Sequence, residues 1–389
     1  MFNQFKRHRF VRMLIVAGTL FAIPISLKSD NGAKVGSAAF LRFINSARAN
    51  GAGGCVANLV DEQSGIYNPG AMGLFHLDHY FAASLPNNTK YYAFSDNSFR
   101  LNTWGASGGT SFGLMKPNAK REYNLGIGLA YYKMKLDYGI LFITDYDNPV
   151  LEQRMHSWDE ADHFVVGLGF EYKKTLRVGI GYTHKEISNL FEMLDSAESE
   201  HPRNLDFNAH DYGIIAEFYL HELVPHKIGI IGHEDYFLNF RIVPSFAFVK
   251  ANIIDGSSDE TRGLSLDLRL NVNESSLFSI RILDEKQQHL NQYTGKVKKN
   301  GYEFGFLGIF TFRTGTQEVY YQTDTYGFGF SFKGITSWLR TLGKLHPGDN
   351  LLGRLIQNLD ITYDYAKYYG LAYEFRANAT KSFKFNLSF

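Results

Sequence analysis

Three short stretches collect the residue types from which hydrolytic or metal chemistry is built. "HSWDEADH" brings together His156, Asp159, Asp162 and His163, and "HED" offers His233, Glu234 and Asp235. "HLDH" adds His76, Asp78 and His79. A metal ion needs several such groups converging on one point, and acid–base catalysis needs them held within reach of a reacting atom. The spacing speaks against both. With "HLDH" read as a strand, His76 and Asp78 share a face while His79 points away, so the two histidines cannot chelate together. The other two clusters fall in expected turns or loops, where charged segments face solvent. The chain has no Ser-elbow motif, no HExxH and no phosphate-binding glycine loop. The expectation is a protein that is not an enzyme, with no catalytic residues, no metal site and no cofactor. The basic "GKVKKN" at Gly295–Asn300 reads likewise as a solvated loop.

The elements around these clusters are more informative. The chain has 389 residues and is nearly neutral, with 40 Lys+Arg against 39 Asp+Glu, which argues against a general nucleic-acid binder. It is rich in Phe (33), Tyr (24) and Gly (37), poor in Pro, and has one cysteine, Cys55, so no disulfide framework is open to it. Alternation with period two recurs throughout. "TYGFGFSFKG" puts Tyr326, Phe328, Phe330 and Phe332 on one face, and "GLSLDLRLNV" does the same with Leu264, Leu266, Leu268 and Leu270. Candidate strands include Gly73–Ser84, Lys90–Asn102, Asn124–Leu136, Tyr138–Thr144, Tyr236–Asn252 and Tyr302–Arg313. One face carries Leu, Val, Ile, Phe and Tyr; the other carries Gly, Ser, Asp, Lys and Arg. A secreted β-sandwich would alternate in the same way. Many of these strands are long, however, and aromatic residues crowd near their ends, as in the girdles of outer-membrane barrels. Pattern counting gives 12 to 16 strands.

Both ends of the sequence favour the membrane reading. Lys6, Arg7, Arg9 and Arg12 precede the apolar run "MLIVAGTLFAIPISL", the pattern of a signal peptide, with a cut expected after Ser26 or Ser29. A non-cleaved anchor is the alternative. The last ten residues, "TKSFKFNLSF", alternate with Phe383, Phe385, Leu387 and Phe389 on one side. This strand is expected to close a barrel against an earlier strand and to turn its aromatic face to lipid. Strands of this kind resemble the targeting signal read by the bacterial barrel-assembly machinery.

The segment "GSAAFLRFINSARANGAGGCVANLVDEQSGIYNPGAMGL" breaks the alternation. It holds Phe40 and Leu41, Ala47 and Arg48, a glycine-rich turn at Gly51, Gly53 and Gly54, the acidic pair Asp61 and Glu62, then Tyr67, Asn68 and Pro69. In order and spacing it resembles the plug of PorV/PorQ-type outer-membrane proteins, relatives of the FadL-type long-chain fatty-acid channels. The knot "NPGAMG" departs from that family's usual Asn-Pro-Ala-Gly. Physical chemistry suits a plug as well: glycines permit close backbone approach, and a lumenal Arg48 needs buried carboxylates as partners. Cys55 reads as a small buried residue.

The sequence is therefore read as an all-β protein, a transmembrane antiparallel β-barrel of about 14 strands with an N-terminal plug, in the bacterial outer membrane. Residues 1–29 form the signal peptide, 30–72 the plug and 73–389 the barrel. An amphipathic helical connection covers 334–357, on the periplasmic side if Phe389 ends there. The expected partners are outer-membrane lipid and the barrel-assembly machinery, with no nucleic acid. Two functions stay open. The PorV-type resemblance implies holding the C-terminal signals of secreted proteins and handing them on. The FadL-type relationship implies uptake of a hydrophobic ligand such as a long-chain fatty acid.

Overall fold

The computed structural model describes residues 39–92, 98–114, 123–144, 152–194, 203–223, 238–254, 257–273, 275–290, 296–318, 322–344, 358–367, 376–377 and 380–388. The signal peptide, plug residues 30–38, the His233–Asp235 cluster and Phe389 lie outside them.

From β2 to β13 each strand pairs antiparallel with its predecessor. The order is β1 (His79–Tyr92), β2 (Ser98–Leu114), β3 (Tyr123–Thr144), β4 (Glu152–Tyr172), β5 (Leu176–Met193), β6 (Arg203–Phe218) and β7 (Leu238–Ile254). It continues with β8 (Ser257–Val272), β9 (Ser275–Leu290), β10 (Val297–Phe306), β11 (Phe310–Glu318), β12 (Gln322–Ser331) and β13 (Leu359–Lys367). A two-residue β14 (Arg376–Ala377) pairs with the end of β1, and β15 (Thr380–Ser388) is the last strand. β15 lies between β13 and β1, with Ala83 opposite Phe385, while β1 also pairs with β2. The sheet is thus a closed barrel of fourteen long strands, and closure removes the bare edge that a terminal strand would otherwise present. We call the rim where β1 begins and β15 ends the lower rim.

Alternation decides which residues meet lipid. Leu129, Val166, Leu264, Phe304, Phe312, Phe328 and Phe383 point outward and are 42–58% exposed. Phe385 and Leu387 share the outer face of β15 with Phe383. Aromatic rows bound this belt. Above, Tyr131 sits 5.5 Å from Trp104 and 5.4 Å from Phe164, and Tyr182 lies 5.3 Å from Tyr212. Below, Tyr123 lies 5.3 Å from Tyr172 and Phe278 5.3 Å from Phe306. The residue steps from Tyr123 to Tyr131 cover ~26 Å along the strand at ~3.3 Å each. At a tilt of ~40° that is ~20 Å of height, close to the apolar band of outer-membrane barrels. The surface and the closure are those of an outer-membrane β-barrel.

The wall is not of even height. β3 has 22 residues and β4 has 21, whereas β11, β13 and β15 have 9 each. Above the belt the outer face of β3 and β4 turns charged. Lys133 Nζ is 2.9 Å from Glu160 Oε2, and Lys135 Nζ is 3.0 Å from Glu160 Oε1. This corrects two expectations. "HSWDEADH" is not a loop but part of β4, and Tyr138–Thr144 continues β3 through a bulge at Gly139, whose φ is 73°. "GKVKKN" is not wholly a loop either: Val297 begins β10, and Lys299 turns inward to Glu285 Oε1 at 2.8 Å. The expected strand Lys90–Asn102 spans the end of β1 and the start of β2.

The barrel starts at His79 rather than at residue 73. Gly73–Asp78 belongs to a helix, Pro69–Asp78, so "HLDH" is helical up to the barrel's first residue. Asn68 is extended and its side-chain oxygen accepts from Gly70 N at 3.0 Å; Pro69 follows at the first helical position, where its missing N–H costs nothing. At the lower rim between β12 and β13, a helix over Phe332–Thr341 is capped by Ser331. It is fastened by Trp338 Nε1, which donates to Leu307 O at 2.6 Å. The rest of the expected 334–357 connection, from residue 345, lies outside the described residues.

Candidate functional site: the plugged lumen

The plug threads the lumen as a 3₁₀ turn (Ala39–Arg42) and three helices, α1 (Ala47–Gly51), α2 (Ser64–Tyr67) and α3 (Pro69–Asp78). α1 starts at Ser46, whose Oγ accepts from Ala49 N at 3.3 Å. The intervening chain turns at Gly53 and Gly54, where φ is 70° and 76°. A side chain at Gly53 would place Cβ 2.1 Å from Asn300 O on the wall, so that turn requires glycine twice over.

α3 lies flat on the inner face of β3–β6 because that face carries Gly126, Gly128, Gly167, Gly169, Gly179, Gly181 and Gly213. An added Cβ at Gly169 would sit 2.1 Å from Gly73 O, at Gly179 2.1 Å from Gly70 O, and at Gly181 2.2 Å from Pro69 O. The bare stretch of wall is thus the negative of the helix. At its lower end Arg177 donates to both Asp78 oxygens, at 2.7 and 3.1 Å, and to Glu171 Oε2 at 2.5 Å.

A chain of charges ties plug to wall on the other side. Arg48 forks onto Glu303, Nε to Oε1 and Nη2 to Oε2, both at 2.8 Å. Arg313 also donates to Glu303 Oε1, at 2.8 Å, and to Asp364 Oδ1 at 2.6 Å. Lys384 of β15 stands 3.3 Å from Asp364 and 3.8 Å from Asp61, and it pairs with Glu62. Tyr132 donates to Glu62 O at 2.6 Å. Burial pushes the Glu62 carboxyl above the usual carboxylate range, against the pull of Lys384. Backbone groups are held in the same way: Glu285 Oε2 accepts from Val56 N at 2.7 Å and Ala57 N at 2.8 Å. Thr325 Oγ1 accepts from Gly53 N at 2.9 Å and donates to Gly51 O at 3.1 Å.

Above this latch the lumen holds an apolar cluster, interleaved with paired polar side chains such as Asp159 with Asn189 and Lys185 with Asp211. Leu101, Met134, Leu136, Ala161, Ile187, Phe207, Ala209 and Ile254 point inward from the upper parts of β2–β7 and form one buried cluster. Phe40 and Leu41 of the plug sit in that cluster, 1% and 8% exposed, with Phe43 packed beside them. Much of this wall stands above the lipid belt, with charges outside and hydrocarbon inside. Below the latch, a cavity of about 390 Å³ opens among β5–β9, lined mainly by polar and charged groups.

The residues singled out from the sequence are placed as follows. Phe40 and Leu41 fill the apolar mouth, and Ala47 is fully buried in α1. Arg48 heads the latch. Gly51 faces Gly327, to which an added Cβ would come within 3.2 Å. Gly53 and Gly54 make the turn, and Asn68 with Pro69 starts α3. Cys55 is buried. The polar clusters do not converge. Asp159 and His163 point into the lumen, whereas His156 pairs with Asp137 at 3.0 Å outside and Asp162 accepts from Tyr131 there at 2.5 Å. Among the described residues no group of three or more His, Cys, Asp or Glu could hold a metal ion. The wall partners Glu303, Arg313, Asp364 and Lys384 were not singled out from the sequence. Their signal was present, as charges on the Gly/Ser face of strands whose other face is aromatic.

No family model and no curated protein matches the chain. Several solved structures do. The Pseudomonas putida toluene transporter TodX is 10% identical, with 88% of this chain and 96% of that chain covered and a TM-score of 0.42. A Pseudomonas aeruginosa FadL homologue is 10% identical over 88% of this chain and 97% of its own, with a TM-score of 0.37. The translocator domain of the autotransporter NalP from Neisseria meningitidis is 7% identical over 79% and 88%, with a TM-score of 0.32. Similarity of this order carries no information about ligand or partner, and the barrel stands on its own strand pairing.

Proposed function

We propose that the protein is a non-enzymatic, plug-gated outer-membrane channel for small hydrophobic molecules, of the FadL-like type. The observation that supports this most is the apolar cluster in the upper lumen. A barrel that only passed water and ions would line its mouth with polar groups. Here eight inward-facing residues make a hydrocarbon pocket, at a height where the outside of the wall is charged, and the plug's own Phe40 and Leu41 occupy it. A hydrophobic ligand entering from above competes with those two side chains, and their displacement is the first step of gating. The secretion role implied by the PorV-type resemblance finds no support in this geometry.

Binding of a fluorescent hydrophobic probe, N-phenylnaphthylamine, to the purified protein in detergent tests the reading. The double substitution Phe40→Ala/Leu41→Ala vacates the pocket and strengthens binding. Leu136→Lys puts a charge into the pocket and abolishes it. Equal binding by wild type and Leu136→Lys overturns the proposal, provided both migrate as folded barrels on unboiled gels.

A further inference from the structure

His163 has no part in the reading above, although it points into the same lumen. It lies on β4, one inward-facing position below Ala161 of the apolar cluster. Its direct cross-strand partners are Tyr132 of β3 and Lys185 of β5, each likewise one position below a cluster residue, Met134 and Ile187. This row is therefore the floor of the hydrophobic pocket. Beneath it, Val165 packs with Ile66 of the plug, so the imidazole has apolar groups above and below. His163 is 1% exposed, and among the described residues neither of its ring nitrogens has a hydrogen-bond partner. A buried polar nitrogen left unpaired is costly. The neighbouring polar groups are already engaged. The Tyr132 hydroxyl donates to Glu62 O at 2.6 Å, and Lys185 Nζ lies 2.7 Å from both Asp211 Oδ2 and Asn252 Oδ1. Leu41 and Lys185 line one small cavity of about 50 Å³, so the floor row adjoins a plug side chain that an entering ligand displaces.

We propose that His163 is the polar anchor of this pocket, setting its imidazole against a hydroxyl group on the ligand. The inference rests on the pocket reading above and names the class of ligand: an uncharged amphipath with a hydroxyl at one end of a hydrocarbon body, as in an alkylphenol. A neutral imidazole offers one donor and one acceptor nitrogen, and a hydroxyl can answer either. One well-placed polar group in an apolar site fixes how the ligand lies. A carboxylate suits the floor less well. Lys185, the cation beside His163, is already paired with Asp211, so an anionic head would enter as an unpaired buried charge. A plain hydrocarbon leaves both ring nitrogens unanswered.

Competition with N-phenylnaphthylamine on the purified full chain tests this, using propylbenzene, 4-propylphenol and 4-propylbenzoate, which share one hydrocarbon body. Concentrations are corrected for partition into the detergent, and the ratio of competition constants does not depend on how the fluorescent probe itself binds. Wild type prefers 4-propylphenol to propylbenzene by roughly fivefold, the worth of one hydrogen bond of ordinary net strength. It binds 4-propylbenzoate more weakly than either. His163→Phe, which keeps a ring, loses the preference for the phenol, and His163→Gln, which keeps a donor and an acceptor, retains it. Folding of both variants is checked by gel mobility before and after boiling. If the probe binds but wild type treats the phenol and propylbenzene alike, the anchor is overturned while the pocket stands. The same holds if His163→Phe keeps the preference, or if the benzoate competes best. If the probe does not bind at all, the pocket reading falls and the anchor with it.

Discussion

Arg48→Met breaks the plug latch at its head, and the sole cysteine of the chain reports the result. Two charge-assisted hydrogen bonds to Glu303 are lost, each at 2.8 Å in the native state. Glu303 stays buried, with Arg313 as its remaining partner at 2.8 Å. Truncating one member of a buried ion pair costs ~3–5 kcal/mol. The low end applies, because Arg313 remains and the Arg48 side chain is 21% exposed. A loss of about 3 kcal/mol raises the population of the opened plug roughly 150-fold. Cys55 lies a few residues along the plug, 2% exposed, and burial pushes its thiol well above the ordinary range. It therefore reacts with a water-soluble maleimide only when the plug opens, and the labelling rate reads the opening equilibrium directly. The predicted outcome is a rise of about two orders of magnitude in Arg48→Met, with unchanged mobility of the unboiled barrel. An unchanged labelling rate would refute the latch, since the plug would then be held by other contacts.

Other perturbations follow from the same contacts. Gly169→Ala drives a Cβ to 2.1 Å from Gly73 O, so α3 must lift from the wall; overpacking of this kind costs ~1–3 kcal/mol and shows as a lower melting temperature. Phe328→Arg places a charge on the lipid face within the belt; it costs ~2–4 kcal/mol of stability, seen as a lower urea concentration needed to unfold the barrel from vesicles. Because burial raises the folded pKa of Glu62, its contribution to plug stability is present below the ordinary Glu value of ~4.3 and is lost as pH rises through the folded value. Cys55 labelling, corrected for thiolate fraction, thus increases over that rise in wild type, and Glu62→Gln removes the trend.

The barrel was legible in the sequence because lipid and lumen impose opposite preferences on alternate residues. Phe304, Phe312, Phe328 and Phe383 announce their face within a few residues of chain. That contrast fails where the wall leaves the membrane. In "HSWDEADH" water outside makes His156, Glu160 and Asp162 acceptable on the outer face, so β4 there reads as a loop. Tyr138–Thr144 was separated from β3 for a related reason: Gly139 breaks the period at a bulge. α3 was missed because "PGAMGLFHLD" is buried nearly all round, leaving no polar face to reveal a helical period. The order of plug residues around Arg48 and the glycine turn was readable. Their partners were not, since Glu303, Arg313, Asp364 and Lys384 lie hundreds of residues away and only barrel closure brings them to the plug.

The most direct test of the account is uptake of N-phenylnaphthylamine by bacteria expressing the protein at matched outer-membrane levels. Entry should be faster with wild type than without the protein, faster still with Arg48→Met, and back at the background rate with Leu136→Lys. Uptake that is the same in all four strains would contradict the claim that an apolar mouth and a movable plug make this barrel a channel for hydrophobic molecules.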